Sequence, residues 1–285
     1  MHSTPHGAAV TATGLGVEGP RGWAFRDVGL TAEPGSLIAV EGPSGSGRTC
    51  LLLALTGRMT PTAGTAEVAG LPLPKKMAAV RAVTALAHVP GVTDLEPALT
   101  VAEHLRERIL LQRRFGPLPG IPGALLRPRR ERTASARART EAALEAAGLD
   151  LDSLPKGART AVRDLERAEA LRLSIALALI GRPRLLAVDD TDMKLPDAER
   201  ADVWATLRAL AESGTTVVAV CSRAPEGAVV VRTGAHGGRQ AADGEPVTGG
   251  GTGETGDGAG STPTRDAGRN DGKGAADALA EAGRA

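Results

Sequence analysis

Gly42-Pro43-Ser44-Gly45-Ser46-Gly47-Arg48-Thr49, GPSGSGRT in one-letter code, decides how this chain is read. The apolar run Leu37-Ile38-Ala39-Val40 precedes it and reads as a buried strand. Cys50-Leu51-Leu52-Leu53-Ala54-Leu55 follows and reads as the opening of a buried helix. Strand, glycine-rich loop and helix, in that order, give the G-x-x-x-x-G-[K]-[ST] pattern its physical meaning. The glycines let backbone N–H groups converge on an anion, and the helix start adds partial positive charge. Gly42 to Cys50 are therefore the candidate phosphate-binding residues, with Thr49 offering its hydroxyl to a magnesium ion. The lysine of the pattern is Arg48 here, so a point contact to phosphate becomes a planar fork. The alternative is a glycine/serine turn that binds nothing, and the flanking strand and helix weigh against it.

Composition narrows the rest. The 285 residues can bury an ample core in one large domain or two small ones. A net charge of +1 gives no general attraction to nucleic acid or to membranes. Aromatic residues are 1% of the chain and tyrosine is absent, which excludes base-stacking modules for RNA or single strands. Cys50 and Cys221 lie far apart beside apolar runs and read as small hydrophobes in a reducing compartment. His2, His6, His88, His104 and His236 show no metal-ligand spacing. No apolar stretch reaches membrane-spanning length and the N-terminus carries no apolar signal segment, so a cytoplasmic location is expected.

Along the chain, residues 1–7 read as a flexible N-terminus, and Ala8–Leu15 and Gly22–Leu30 as short strands around a Gly/Pro turn. Thr65–Gly70 reads as another strand, and the apolar run Ala85–Val89 ends at Pro90-Gly91. Val101, Leu105, Ile109 and Leu110 recur at helical spacing. Residues 113–132 read as a loop or broken helix, Ala134–Ala147 as a helix stopped by Gly148, and Leu171–Ile180 as an apolar helix. Ten arginines between Arg106 and Arg139 make this region basic: either a solvated face or a surface near anionic lipid headgroups or an acidic partner. Leu185–Val188 and Thr216–Val220 read as continuous apolar strands on either side of a helix over Ala198–Ala211. Alternating strands and helices, with strands apolar on both faces, predict a largely parallel α/β sheet. Residues 233–285 are Gly-, Ala-, Thr- and Asp-rich and read as a disordered tail, with a weak helix at Ala275–Ala282.

The strand Leu185–Val188 runs into Asp189-Asp190. A carboxylate at the C-terminal end of a core strand can hold magnesium beside a phosphate loop, which assigns Asp189 to the metal. Asp190 is the candidate to orient or deprotonate an attacking water. With these residues the chain resembles the ATP-binding subunit of ABC transporters, over roughly residues 8–224. LIAVEGPSGSGRTCLLLALTGRMTPTAGTAEVAG resembles that family's first strand, Walker A loop, helix and following hairpin. Leu165-Glu166-Arg167-Ala168-Glu169 stands where the family has its LSGGQ signature. Arg182-Pro183 then Leu185-Leu186 before Asp189-Asp190 matches the Walker B approach, and Gly214–Val220 the strand before the switch histidine. The resemblance implies an α/β P-loop NTPase fold: a mostly parallel core sheet, an antiparallel β subdomain and a helical subdomain at about 95–180, all within residues 8–232.

It further implies ATP and Mg2+ as ligands, a homo- or heterodimer of such domains, a membrane permease as partner, and no nucleic acid. The location implied is cytoplasmic, peripheral on the inner face of the cell membrane through that partner. The departures cluster on catalysis. Gly91 replaces the Q-loop glutamine, Ser222 stands at the switch histidine, and Asp190 replaces a glutamate, retracting its carboxylate by about an ångström. Leu195-Pro196-Asp197 disturbs the D-loop order. At the signature, Glu166 would face a phosphate unless Arg167 neutralises it. Trp23 or Phe25 could stack on adenine or pack in the core. Two readings follow: an ATPase that drives a permease, export somewhat favoured, or a weakened pseudo-ATPase that uses ATP as a conformational clamp or sensor. Ribosome- or DNA-directed relatives carry two cassettes or coiled arms, and this chain has neither a second cassette nor a heptad run.

Overall fold

The computed structural model describes residues 6–115, 129–191 and 195–234. In chain order they form β1 (Val10–Gly19), β2 (Gly22–Ala32), β3 (Leu37–Glu41), α1 (Arg48–Leu55), β4 (Ala63–Val68), β5 (Leu71–Leu73), α2 (Met77–Val83) and β6 (Thr84–Leu86). There follow α3 (Val101–Phe115), α4 (Arg129–Ala146), α5 (Arg167–Leu179), β7 (Leu185–Val188), α6 (Asp197–Glu212), β8 (Thr216–Cys221) and β9 (Val229–Arg232).

Two sheets result. The core sheet has five strands in the order β6-β7-β8-β3-β9, and every pairing in it is parallel. The second sheet, β2-β1-β4-β5, is antiparallel throughout. The continuous apolar runs of β3, β7 and β8 follow from burial on both faces of the parallel sheet. Successive side chains of a strand point to opposite faces. Ile38 and Val40 accordingly pack with α1 and the antiparallel sheet, among Leu51, Leu55, Val10 and Phe25. Leu37 and Ala39 pack on the other side with α5 and α6, among Ile175, Val203 and Leu207. The same alternation divides Leu185 and Ala187 from Leu186 and Val188. The glycine-rich loop and Asp189 leave the C-terminal ends of adjacent parts of this sheet, where an α/β fold opens its binding crevice.

Several boundaries differ from those read in sequence. The stretch 113–132, read as a loop or broken helix, is helical at both described ends, because α3 runs on to Phe115 and α4 starts at Arg129. Arginine, alanine and glutamate are good helix formers, and that propensity wins where no apolar period announces a helix. Helix α5 starts at Arg167, inside the signature-like pentad. Helix α2 and strands β5 and β9 are additions to the sequence reading. Gly7, assigned to a flexible start, is buried, and Arg184 donates to the carbonyls of His6 and Gly7 at 3.0 and 2.9 Å. Thr233, assigned to the tail, is 2% exposed and donates its N–H to the Glu41 carbonyl at 3.0 Å. The remainder of the tail, with Ala275–Ala282, and residues 1–5 lie outside the described residues.

Candidate functional site

The loop from Gly42 to Gly47 turns between β3 and α1 on left-handed backbone at Gly45 (φ 79°) and Gly47 (φ 81°). Side chains are excluded there by close approach. A Cβ on Gly42 would stand 2.5 Å from Thr233 Oγ1 and 2.7 Å from Ser46 Oγ, and one on Gly47 would strike the Ala24 carbonyl of β2. Pro43 and Ser44 are exposed, whereas Ser46 is buried with its hydroxyl 2.7 Å from that of Thr233. Helix α1 opens on Gly47 with no side-chain cap and no acidic residue in its first turn. No side chain of its own first turn or cap competes for its first N–H groups, the arrangement that suits an incoming anion.

The acids meet this loop directly. Thr49 Oγ1 donates to Asp189 Oδ2 at 2.6 Å, 140 positions away in sequence. Asp189 is 5% exposed, and its other oxygen accepts the N–H of Asp190 at 2.8 Å. Its own N–H is donated to the His88 carbonyl at 2.7 Å, which fixes the end of β7 beside the segment after β6. Arg48 Nη1 donates to the Cys221 carbonyl at 2.8 Å, tying the loop to the end of β8 immediately before the exposed Ser222. Burial pushes the Cys50 thiol pKa above its ordinary value, and the charge of Asp189 adds to the effect.

The signature-like residues come to the same end of the sheet, in an arrangement the sequence did not foretell. Glu166 caps α5: its side chain accepts the N–H of Glu169, and the Glu169 side chain accepts the N–H of Glu166 at 2.8 Å. This reciprocal capping box fills the helix start with two carboxylates. Arg167, the residue that could have neutralised Glu166, pairs instead with Asp190, Nη2 to Oδ2 at 3.0 Å. Ala168 is buried and Leu165 half-buried against the core. Gly91 lies on an exposed turn, its N–H donated to Asp94 at 2.8 Å. Phe25 is 1% exposed in the core; Trp23 is partly exposed and packs over Gly16. Thr233 and Ala24 are site residues that sequence reading missed. Val229-Val230-Val231 was the available signal for a strand delivering Thr233.

Thr49 and Asp189 suit magnesium by donor chemistry: a hydroxyl and a carboxylate oxygen in contact, with no nitrogen or sulfur ligand. Among the described residues no three His, Cys, Asp or Glu side chains gather as a metal cluster. Magnesium needs none, since it keeps water and phosphate oxygens as its remaining ligands.

Residues 25–192 match the family model described as ABC transporter. The chain belongs to that family. Curated relatives of this ABC protein include the Nod factor export ATP-binding protein I of Cupriavidus pinatubonensis, 32% identical over 67% of this chain and 52% of the relative. ABC transporter G family member 11 of Arabidopsis thaliana is 35% identical over 67% of this chain and 25% of its own length. The chain spans about half the length of the Nod factor export relatives it matches. Among solved structures, a dimeric ATP-binding cassette in a post-hydrolysis state with ADP and Pi superposes with a TM-score of 0.58 at 21% identity, covering 75% of this chain and 88% of the other. A bacterial Atm1-family ABC exporter with ATP bound gives 0.56 at 21% identity, over 78% and 35%. The fold is thus the ABC-type P-loop fold, with its parallel core sheet, antiparallel sheet and helices.

Proposed function

We propose that this ABC protein is the ATP-binding and ATP-hydrolysing subunit of a transporter, dimerising around Mg-ATP to drive a separate membrane permease. The observation that carries the reading is the Thr49–Asp189 hydrogen bond, which joins the glycine loop to the strand-end acids beside an uncapped helix start. Backbone N–H groups of residues 45–50 hold the phosphates. Arg48 leaves the Cys221 carbonyl to contact them, and Thr49 and Asp189 hold Mg2+. When bound, the ion neutralises charge developing on the transferred phosphoryl oxygens. Asp190 orients the attacking water and takes its proton.

Export is the direction favoured, since Nod factor export proteins stand among the relatives. No helix of the described residues is long and apolar enough to cross a membrane, and the reading assigns the transport path to a separate permease. A cavity of about 290 Å3 between β6, α3 and α5 supports a docking place for it. Leu111 is 43% exposed on its rim, and the buried Ser174 hydroxyl on its wall has no hydrogen-bond partner among the described residues. The complex would then sit on the inner face of the cell membrane.

One observation favours the clamp reading: Asp190 is held by Arg167 while Glu166 and Glu169 fill the start of α5. Calorimetry with Mg-ATP and phosphate release by the purified chain, alone and with its permease, separate the two. In an ATPase, Asp190→Asn keeps Mg-ATP binding and lowers turnover by about 100-fold or more. In a clamp, binding is present, turnover is absent with or without the permease, and the substitution changes nothing. Failure to bind Mg-ATP overturns both.

A further inference from the structure

Arg167 is the second residue of the capped start of α5, yet its side chain crosses to the end of β7. Its Nη2 donates to Asp190 Oδ2 at 3.0 Å over a sequence separation of 23. Asp190 itself stands on left-handed backbone, φ 54°, a region that aspartate enters more readily than most residues. Its N–H is taken by Asp189 Oδ1 at 2.8 Å, so Asp190 is held from two sides, by its neighbour through the backbone and by α5 through the carboxylate. The side chains are 43% and 21% exposed. An ion pair this open to water is weak and exchanges readily.

We propose that Arg167 is a positioning residue: it holds the Asp190 carboxylate against the start of α5, and turnover requires this contact to open. An oxygen lone pair that accepts from a guanidinium is withheld from water. Oδ2 therefore cannot accept from an attacking water along that direction while the pair is closed. Because α5 starts inside the signature-like residues and carries Arg167 in its first turn, a movement of that helix start would release Asp190 at the same moment. The inference rests on the reading of Asp190 as the residue that acts on water.

The test uses the purified full chain and two independent readouts. In steady-state hydrolysis, Arg167→Ala raises kcat by up to about fivefold, the range set by opening an exposed pair, and leaves KM for Mg-ATP within about twofold. Arg167→Lys keeps the charge and stays near wild type. In thermal unfolding without nucleotide, Arg167→Ala and Asp190→Ala each shift Tm by about 2 °C, and the double variant shifts it no further than the larger single change. A fall in kcat, or a KM raised tenfold, overturns the proposal and gives Arg167 to nucleotide held by a second copy. Additive Tm shifts overturn it as well. If wild type and Arg167→Ala bind Mg-ATP and neither hydrolyses it, the ATPase reading fails and with it the role in turnover, whereas the Tm cycle still reports whether the contact exists.

Discussion

Three polar side chains at the end of the sheet are paired with neighbours: Thr49 with Asp189, Arg48 with the Cys221 carbonyl, Arg167 with Asp190. Nucleotide binding must exchange the first two of these contacts for phosphate and metal, and the residues concerned can be tested singly. Thr49→Val keeps shape while removing the hydroxyl. It should lower affinity for Mg-ATP at least about tenfold, the size of losing one charge-assisted bond, with a smaller loss for ATP in excess chelator; paired calorimetric titrations check this. Cys50 gives a second measurement. Its thiol pKa is raised by burial and by Asp189, so a smaller fraction is thiolate at neutral pH. Alkylation at pH 7 should therefore be slower than for an exposed cysteine, and Asp189→Asn should speed it. Mass spectrometry of the Cys50 peptide reads the rate. The glycine loop and the Asp189-Asp190 pair were legible in the sequence because each obeys a local pattern. The Arg167–Asp190 and Ser46–Thr233 contacts were not, since neither partner carries any mark of the other at separations of 23 and 187.

At the scale of elements, two helix starts with opposite chemistry define the site. Helix α1 opens without an acid, and α5 opens on Glu166 and Glu169. In the proposed dimer, an anion facing α5 would have to displace the Glu166 carboxylate. Glu166→Ser keeps a capping side chain and removes the charge. It should promote ATP-dependent dimerisation of the Asp190→Asn chain, measured by sedimentation, and cost little stability. Helix α3 carries a second capping box, in which Glu103 accepts the N–H and hydroxyl of Thr100 at 2.8 and 2.7 Å. Those bonds, backbone first, hold its carboxyl below the ordinary value. A depressed carboxyl stabilises the fold above its unfolded pKa, and that support is lost as pH falls through the folded value. Tm measured from pH 6 downward should fall less steeply in Glu103→Gln than in wild type. Strands β3, β7 and β8 were readable as apolar runs with sharp polar ends; α2 and β5, of 7 and 3 residues, are too short to carry a period. The start of α4 was hidden because its first turn, Arg129-Arg130-Glu131-Arg132, is wholly charged and shows no apolar period.

At the scale of the molecule, the parallel sheet is shared by two cores, one with α1 and the antiparallel sheet, the other with α3 to α6. Leu207 is fully buried in the second core beside β3 and β8. Leu207→Ala should cost about 2–5 kcal/mol in denaturant unfolding, while an equal change at exposed Leu110 leaves stability nearly unaltered. Leu111→Asp belongs to the same scale: with the fold kept and the basal Mg-ATPase intact, stimulation by the permease should be lost if the cavity above α5 is the docking place. Strand β9 has an influence that reaches far beyond its four residues. Thr233, one step past β9, presses on Gly42 and bonds Ser46, so the shape of the glycine bend is finished by a residue nearly two hundred positions downstream. A polypeptide cut after Arg232 would keep every described strand but should bind Mg-ATP more weakly than one cut after Gly234, and calorimetry on the two checks this. By this reading the nucleotide site is complete only once synthesis has passed Thr233, the residue that closes on Gly42 and Ser46.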